Sequence, residues 1–251
     1  MLTKEIKSLQ HPIVKHLVKL QKERRYREEK RSLLLEGKKM IFEFQGEIEM
    51  ILCTIGHSIP SHLSPRMRFV VPFEIIKKIA ATKAPEPLLA LVSYPDFQGL
   101  KGKSKILVLD RISDPGNLGT LLRTALAFGF DGAFLIDCAD PFSPKALRSA
   151  KGATFHLPLQ AGSEKELKLL IQENGLTPYI ADASGEDGEL TLPLALILGS
   201  ESKGPSETLK ALGKLISIPM DAVSESLNVA VAGGILMHKV KEISCPSLTT
   251  T

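Results

Sequence analysis

The chain has no tryptophan, three tyrosines and three cysteines among its 251 residues. Cys53, Cys138 and Cys245 are odd in number, scattered, and lack the paired spacing of a disulfide framework or a thiolate zinc site. The six histidines form no H-x-H or H-E-x-x-H pattern, so no metal is expected. No apolar run approaches the ~20 residues that a bilayer-spanning helix needs. The longest, Val229–Met237, is short and contains Gly233 and Gly234. The N-terminus mixes Lys4, Glu5 and Lys7 without the apolar core of a secretory signal. The expectation is a cytoplasmic chain with no membrane partner.

What is present is an ordinary globular composition, 43% apolar and 24% charged, in a chain long enough for one large or two modest domains. Charge is unevenly placed. Residues 1–40 hold twelve Lys/Arg against five acids, so this segment is net positive while the remainder of a chain of net charge +4 is net negative. Such a segment suits a polyanion, because phosphate contacts supply most sequence-independent affinity for nucleic acid. A solvated helix face is the other explanation. Arg24, Arg25, Arg27, Lys30 and Arg31 are the candidate RNA-binding cations, with Tyr26 set among them.

Ile13, Leu17 and Leu20, with Val14 and Val18, space a helical apolar face. Strands are expected at Leu33–Leu35, Met50–Ile55, Met67–Val71 and Leu88–Ser93, with helices at Lys38–Phe44 and Pro72–Ala81. That alternation predicts a small α/β domain over residues 1–98. Tyr94–Ser104, rich in Gly, Pro and charge, reads as a linker. Residues 104–251 then alternate Val/Ile/Leu-rich strands (Ile106–Leu109, Ala133–Ile136, Pro178–Ala181, Leu194–Leu198, Leu215–Ile218) with helices (Asn117–Phe128, Ser143–Ala150, Glu164–Glu173, Ser226–Glu242). This pattern predicts a mostly parallel sheet covered on both faces.

Three segments of the second domain run from an apolar strand into a turn: Leu107–Thr124, Ile197–Gly204 and Ile218–Val229. Ligand sites in α/β proteins favour this place, outside the carboxyl ends of parallel strands. In the first segment Asp114-Pro115-Gly116 makes the turn and Asn117 is expected as the helix cap. Leu118, Leu121, Leu122 and Ala125 form the buried stripe, with Arg123 expected half-buried at its edge. In the second, Gly199 and Gly204 have the spacing of a P-loop, but Pro205-Ser206 follows where Lys-Ser/Thr is required. In the third, Glu225-Ser226-Leu227-Asn228 opens a helix rich in small residues.

Together and in this order, L-D-R-I-S-D-P-G-N-L-G-T-L-L-R, I-L-G-S-E-S-K-G and I-P-M-D-A-V-S-E-S-L-N-V resemble the three signature motifs of the SpoU (TrmH) family of RNA 2′-O-ribose methyltransferases, in the SPOUT superfamily. The departures are Ser200 and Ser202 where relatives have Asn and Gly, and Ser224 where an apolar residue is commoner. S-L-Q-H-P-I-V-K-H-L and L-L-L-E-G-K-K-M-I resemble, less specifically, the small ribosomal-protein-like (L30e-like) substrate-binding domain of many members.

The resemblance implies a SPOUT-type parallel sheet with a trefoil knot, S-adenosylmethionine as cofactor, a homodimer and no metal. It assigns Arg123 to activating the ribose 2′-hydroxyl or binding its phosphate, and Asn117 and Glu201 to pocket geometry. Ser226 and Asn228 would position the nucleotide. Backbone at Leu198, Gly199, Ile218, Met220 and Leu227 would cradle the cofactor, and Gly233–Gly234 could allow close helix contact at the dimer interface. The substrate implied is large-subunit (23S) ribosomal RNA, with tRNA methylation and a non-catalytic RNA-binding assembly factor as alternatives. A dinucleotide-binding oxidoreductase fits less well, because Asp110–Gly119 lacks the full G-x-G-x-x-G and Ser226-Leu227-Asn228 stays unexplained.

Overall fold

The computed structural model describes residues 2–200, 203–221 and 226–244. It divides into two units, residues 1–96 with 142–144, and residues 97–141 with 145–251.

The first unit runs β1 (Leu2–Glu5), α1 (Pro12–Lys22), α2 (Arg24–Lys30), β2 (Ser32–Glu36), α3 (Lys38–Glu43), β3 (Ile48–Cys53), β4 (Met67–Val70), α4 (Phe73–Ile79) and β5 (Leu88–Ser93). Its sheet has the order β1-β4-β3-β5-β2, with β4 parallel to both neighbours and β5 antiparallel to both of its own. Val14, Leu17 and Leu20 of α1 bury their stripe against Leu34, Leu52, Leu89 and Ile76. Each such side chain contributes about 1.5–3 kcal/mol on leaving water. The strand β1 was not expected. Its pairing with β4, Leu2 to Met67 through Glu5 to Val70, comes from a partner that local sequence does not reveal.

The polar stretch after α1 forms a second helix. Glu23 is extended between α1 and α2. Arg27 is buried, and its Nη1 donates to Leu20 O at 2.7 Å and Gln21 O at 3.4 Å. Those are carbonyls that the end of α1 leaves without helical partners. The RNA-binding assignment of Arg27 is therefore corrected: its guanidinium closes a helix end inside the protein.

The second unit runs β6 (Lys105–Asp110), α5 (Pro115–Ala127), β7 (Gly132–Ile136), α6 (Pro144–Ala150), a single 3₁₀ turn (Ala153–Phe155), β8 (Leu159–Ala161), α7 (Glu164–Asn174), β9 (Thr177–Glu186), β10 (Leu194–Leu198), α8 (Glu207–Lys210), β11 (Lys214–Ile216) and α9 (Val229–Ser244). All neighbours in the sheet are parallel, in the order β11-β9-β10-β6-β7-β8. Ile106–Leu109 and Leu194–Ile197 are wholly buried, as a sheet covered on both faces requires. From β6 the chain steps outward through β7 to β8, then returns to place β10 on the other side of β6. The strand order reverses between β6 and β10, and the carboxyl ends there bound the crevice where such sheets bind ligands.

The helix α9 packs on α5 and over β10. Gly233 makes that approach possible, since a side chain there would overlap Leu121 and Leu198. The expected use of the Gly233–Gly234 pair in a contact between chains is corrected for Gly233, which faces inward. Gly234 has open space at its Cβ position among the described residues.

Candidate active site

Three strand ends deliver the motifs to one side of the sheet. The first leaves β6 at Asp110. Asp114, not Asn117, caps α5: its Oδ1 accepts the Asn117 amide at 2.9 Å, with Pro115 at the first helical position. Pro has no N–H to satisfy and its φ is preset for a helix, so the helix starts two residues earlier than expected. The Lys145 ammonium, with the Asn117 amide, holds the Asp114 carboxyl below its usual range.

That shift leaves the Asn117 side chain to meet the third motif. Asn228 Nδ2 donates to Asn117 Oδ1 at 3.3 Å. Asn228 Oδ1 in turn accepts the amides of Ala230 at 2.9 Å and Val231 at 3.4 Å, capping α9. The helix accordingly begins at Val229, three residues after the expected start at Ser226. Two residues singled out 111 positions apart are thus in contact.

Arg123 is exposed rather than half-buried at the edge of the stripe. At about 100° per residue it lies roughly 150° from the centre of the Leu118–Leu121–Leu122–Ala125 face, which excludes an edge position. Its guanidinium faces away from this chain's core.

The second motif follows β10. Gly199 is buried, and a Cβ there would overlap the backbone of Gly204 and Pro205, so the loop returns across it. Gly204 N donates to Ser200 O at 2.9 Å, and Ser200 Oγ accepts the Lys203 amide at 3.3 Å. The hydroxyl of Ser200 therefore does locally what a short amide side chain would do in a turn. Glu201 and Ser202 lie outside the described residues, as do Ala222–Glu225 and Cys245.

Beyond β11, Ile218 is half-buried, whereas Met220 and Leu227 are 39% and 37% exposed. Ser226 is exposed as well. Two exposed apolar side chains suit a ligand with an apolar face.

Sequence reasoning missed Asp110 and Arg111. Asp110 is buried, and Arg111 pairs with it. The available signal was a carboxylate closing a strand that is otherwise apolar from Ile106 on. Near the same strand ends, burial pushes the Cys138 thiol up to about 11, and its Sγ–H lies against the carbonyls of Leu109 and Ile136 at 3.2 and 3.4 Å. A thiol held protonated is a poor nucleophile, so Cys138 does not suit covalent catalysis. Among the described residues no group of three or more His, Cys, Asp or Glu could hold a metal ion, and no helix is long and apolar enough to cross a membrane.

The remaining cations expected to meet RNA are divided. Arg24 pairs with Glu28 at 2.8 Å, Lys30 with Glu29 at 2.8 Å, and Arg31 with Asp96 and the Tyr94 carbonyl. Arg25 is exposed. Exposed Lys15, Lys19 and Lys22 form a row along α1 that the sequence reading passed over, although their spacing of four and three was legible.

Comparison with known proteins decides the family. The model of the SpoU rRNA Methylase family matches residues 104–238, and that of the MRM3-like substrate binding domain matches residues 11–90. The chain belongs to the SpoU rRNA methylase family. It is 31% identical over 248 residues to the 23S rRNA (guanosine(2553)-2′-O)-methyltransferase RlmP of Bacillus subtilis, covering 95% of this chain and 99% of that one. The 23S rRNA (adenosine(1067)-2′-O)-methyltransferase of Streptomyces laurentii is 32% identical over 154 residues, 58% of this chain and 56% of the relative. Among solved structures, the AdoMet-bound rRNA methyltransferase of Sinorhizobium meliloti superposes with a TM-score of 0.82 at 26% identity, over 99% of each chain. The SpoU span opens one residue before β6 and contains all three motifs, and the fold around it is the SPOUT methyltransferase fold with a small α/β substrate-binding domain ahead of it.

Proposed function

We propose that this SpoU-family protein methylates a ribose 2′-hydroxyl in large-subunit ribosomal RNA, with S-adenosylmethionine as donor. The observation that carries the reading is the contact between Asn117 and Asn228, drawn from the first and third motifs that follow the carboxyl ends of parallel strands. The residues fit the cofactor. Gly199 lets the Gly204–Pro205 backbone pack directly on the end of β10, and Met220 and Leu227 offer apolar surface to an adenine. When bound, the cofactor supplies an electrophilic methyl on its sulfonium.

Asn117 and Asn228 would hold the acceptor ribose facing that methyl, and the hydroxyl proton would pass to solvent. The Arg123 guanidinium offers charge and N–H donors rather than a base. Its contribution is therefore a fixed positive charge beside the developing alkoxide or the adjoining phosphate. Asn117 and Asn228 set the pocket's shape and orient the nucleotide, and Glu201 and Ser226 are assigned to the same work. Residues 1–98 would hold RNA through Arg25 and the Lys15–Lys19–Lys22 row, and residues 104–251 would carry the chemistry.

The same reading includes a trefoil knot, supported by the return of α9 from β11 at the sheet's edge to pack over β10 and α5. It also includes a homodimer. Arg123 points away from its own core, and the helix pair exposes Leu126 on α5 with Val231 (52%) and Ile235 (45%) on α9. Replacing Val231 and Ile235 together by Glu is expected to give a folded monomer by light scattering, with methylation lost. A variant that stays dimeric would remove that face from the interface. A cytoplasmic location belongs to the same reading.

The test is incubation of the pure protein with methyl-labelled S-adenosylmethionine and, separately, ribosomal RNA and tRNA, followed by nucleoside mass spectrometry. A labelled 2′-O-methyl nucleoside is expected from the 23S pool. Label in tRNA alone would move the substrate class, and absence of both label and cofactor binding would leave a non-catalytic RNA-binding protein.

A further inference from the structure

The loop after β10 is tied to the first motif by a buried charge. Asp110 ends β6 and is 1% exposed, and its carboxylate accepts Arg111 Nε at 2.9 Å and Nη2 at 2.8 Å. Its Oδ2 also accepts the Ser206 amide at 3.0 Å. Arg111 Nη2 reaches on to Gly204 O at 3.4 Å. The Ser206 hydroxyl donates to Glu164 at 2.6 Å, at the start of α7. A pair drawn from residues 110 and 111 thus grips residues 204 and 206, the limb by which the second motif's loop returns across Gly199.

Two features make this more than a surface ion pair. A buried carboxylate is costly unless its lone pairs are met, and here the partners include a backbone amide of the loop itself. Arg111 has a positive φ of 57°, which a non-glycine residue adopts only where the surroundings enforce it. Asp110 also raises the pKa of Arg111, so the charge needed for the grip is permanent.

The geometry points to Asp110 and Arg111 as positioning residues that hold the Gly204–Ser206 limb and so set the affinity of the loop for the adenosyl cofactor. The inference rests on the methyl-transfer reading for the identity of that cofactor. A loop that samples several conformations binds with an affinity reduced by its competent fraction. If the unclamped loop is competent about one-tenth of the time, the Kd for S-adenosylmethionine rises about tenfold.

The experiment uses the full chain, calorimetry with S-adenosylmethionine, thermal melting, and amide hydrogen exchange in the free protein. Arg111→Ala strands the Asp110 charge, so it should lower the melting temperature as well as weaken binding. The combination Asp110→Leu with Arg111→Gly removes the charge with its partner and relieves the positive-φ backbone. Its melting temperature should return towards wild type while the Kd stays raised by about tenfold or more and the Ser206 amide exchanges faster. Arg111→Lys should recover part of the affinity. A double variant with wild-type Kd would overturn the inference, because the pair would then serve stability alone. An unchanged Ser206 exchange rate would overturn it too. If the wild-type protein bound no S-adenosylmethionine, the methyl-transfer reading would fall, with the exchange result still deciding whether the limb is clamped.

Discussion

Arg123→Ala should lower the methylation rate by about a hundredfold or more while leaving the fold and cofactor binding intact. Because Arg123 is exposed on the helix face opposite the buried stripe, its truncation falls in the class of surface changes that alter stability by about 0.5 kcal/mol or less. A loss of rate in this variant therefore reports chemistry and not unfolding. On the proposed reading Arg123 supplies a fixed charge to the developing alkoxide, and removing one such donor typically costs about 10²–10³ in rate. Single-turnover rates with saturating RNA and calorimetry of S-adenosylmethionine would separate the outcomes. A fall in kcat with unchanged cofactor Kd supports stabilisation of the alkoxide. A raised KM for RNA with unchanged kcat would reassign Arg123 to the phosphate, as an interaction made equally in ground and transition states. A near wild-type rate would remove it from the site. Arg123→Lys should recover only part of the rate, since an ammonium keeps the charge and loses the planar fork.

The strands of the second unit were legible because burial on both faces writes them as unbroken apolar runs, and the observed β6, β7 and β10 fall within a residue or two of the expected spans. The edges were harder to read. Only three residues of β8 and four of β1 form strands, and both depend on a neighbour for their hydrogen bonds. Helix starts were misplaced where a stronger cap stood upstream, as with Asp114 and Pro115, or downstream, as with Asn228. In the site, residue types were legible from the motifs, but their environments were not. The exposure of Arg123 follows from helical arithmetic available in the sequence, whereas the burial of Arg27 depends on the chain turning at Glu23. The contact between Asn117 and Asn228 needed the return of α9 over the sheet, which no local pattern encodes.

The second large effect is expected at Gly199, and it comes from backbone geometry instead of charge. A methyl group on Gly199 would overlap the backbone of Gly204 and Pro205, so something must move. The end of β10 cannot readily move, because it is paired to β6 on one side and β9 on the other and is buried. The loop must therefore give way, against the Gly204–Ser200 bond and the grip of Asp110 on the Ser206 amide. Overpacking of this kind costs about 1–3 kcal/mol. Displacement of the loop adds to that any contact it makes with the cofactor. Gly199→Ala is expected to weaken S-adenosylmethionine binding by about a hundredfold and to lower the melting temperature by several degrees, at roughly 2–4 °C per kcal/mol for a chain of this size. Gly204→Ala provides the comparison. Its Cβ would meet nothing among the described residues, but its φ of 66° is strained for alanine, so it should cost only about 1 kcal/mol and weaken binding by about tenfold or less. If the two variants bound equally well, the close approach at Gly199 would not be what shapes the pocket. A wild-type Kd for Gly199→Ala would place the cofactor away from this loop.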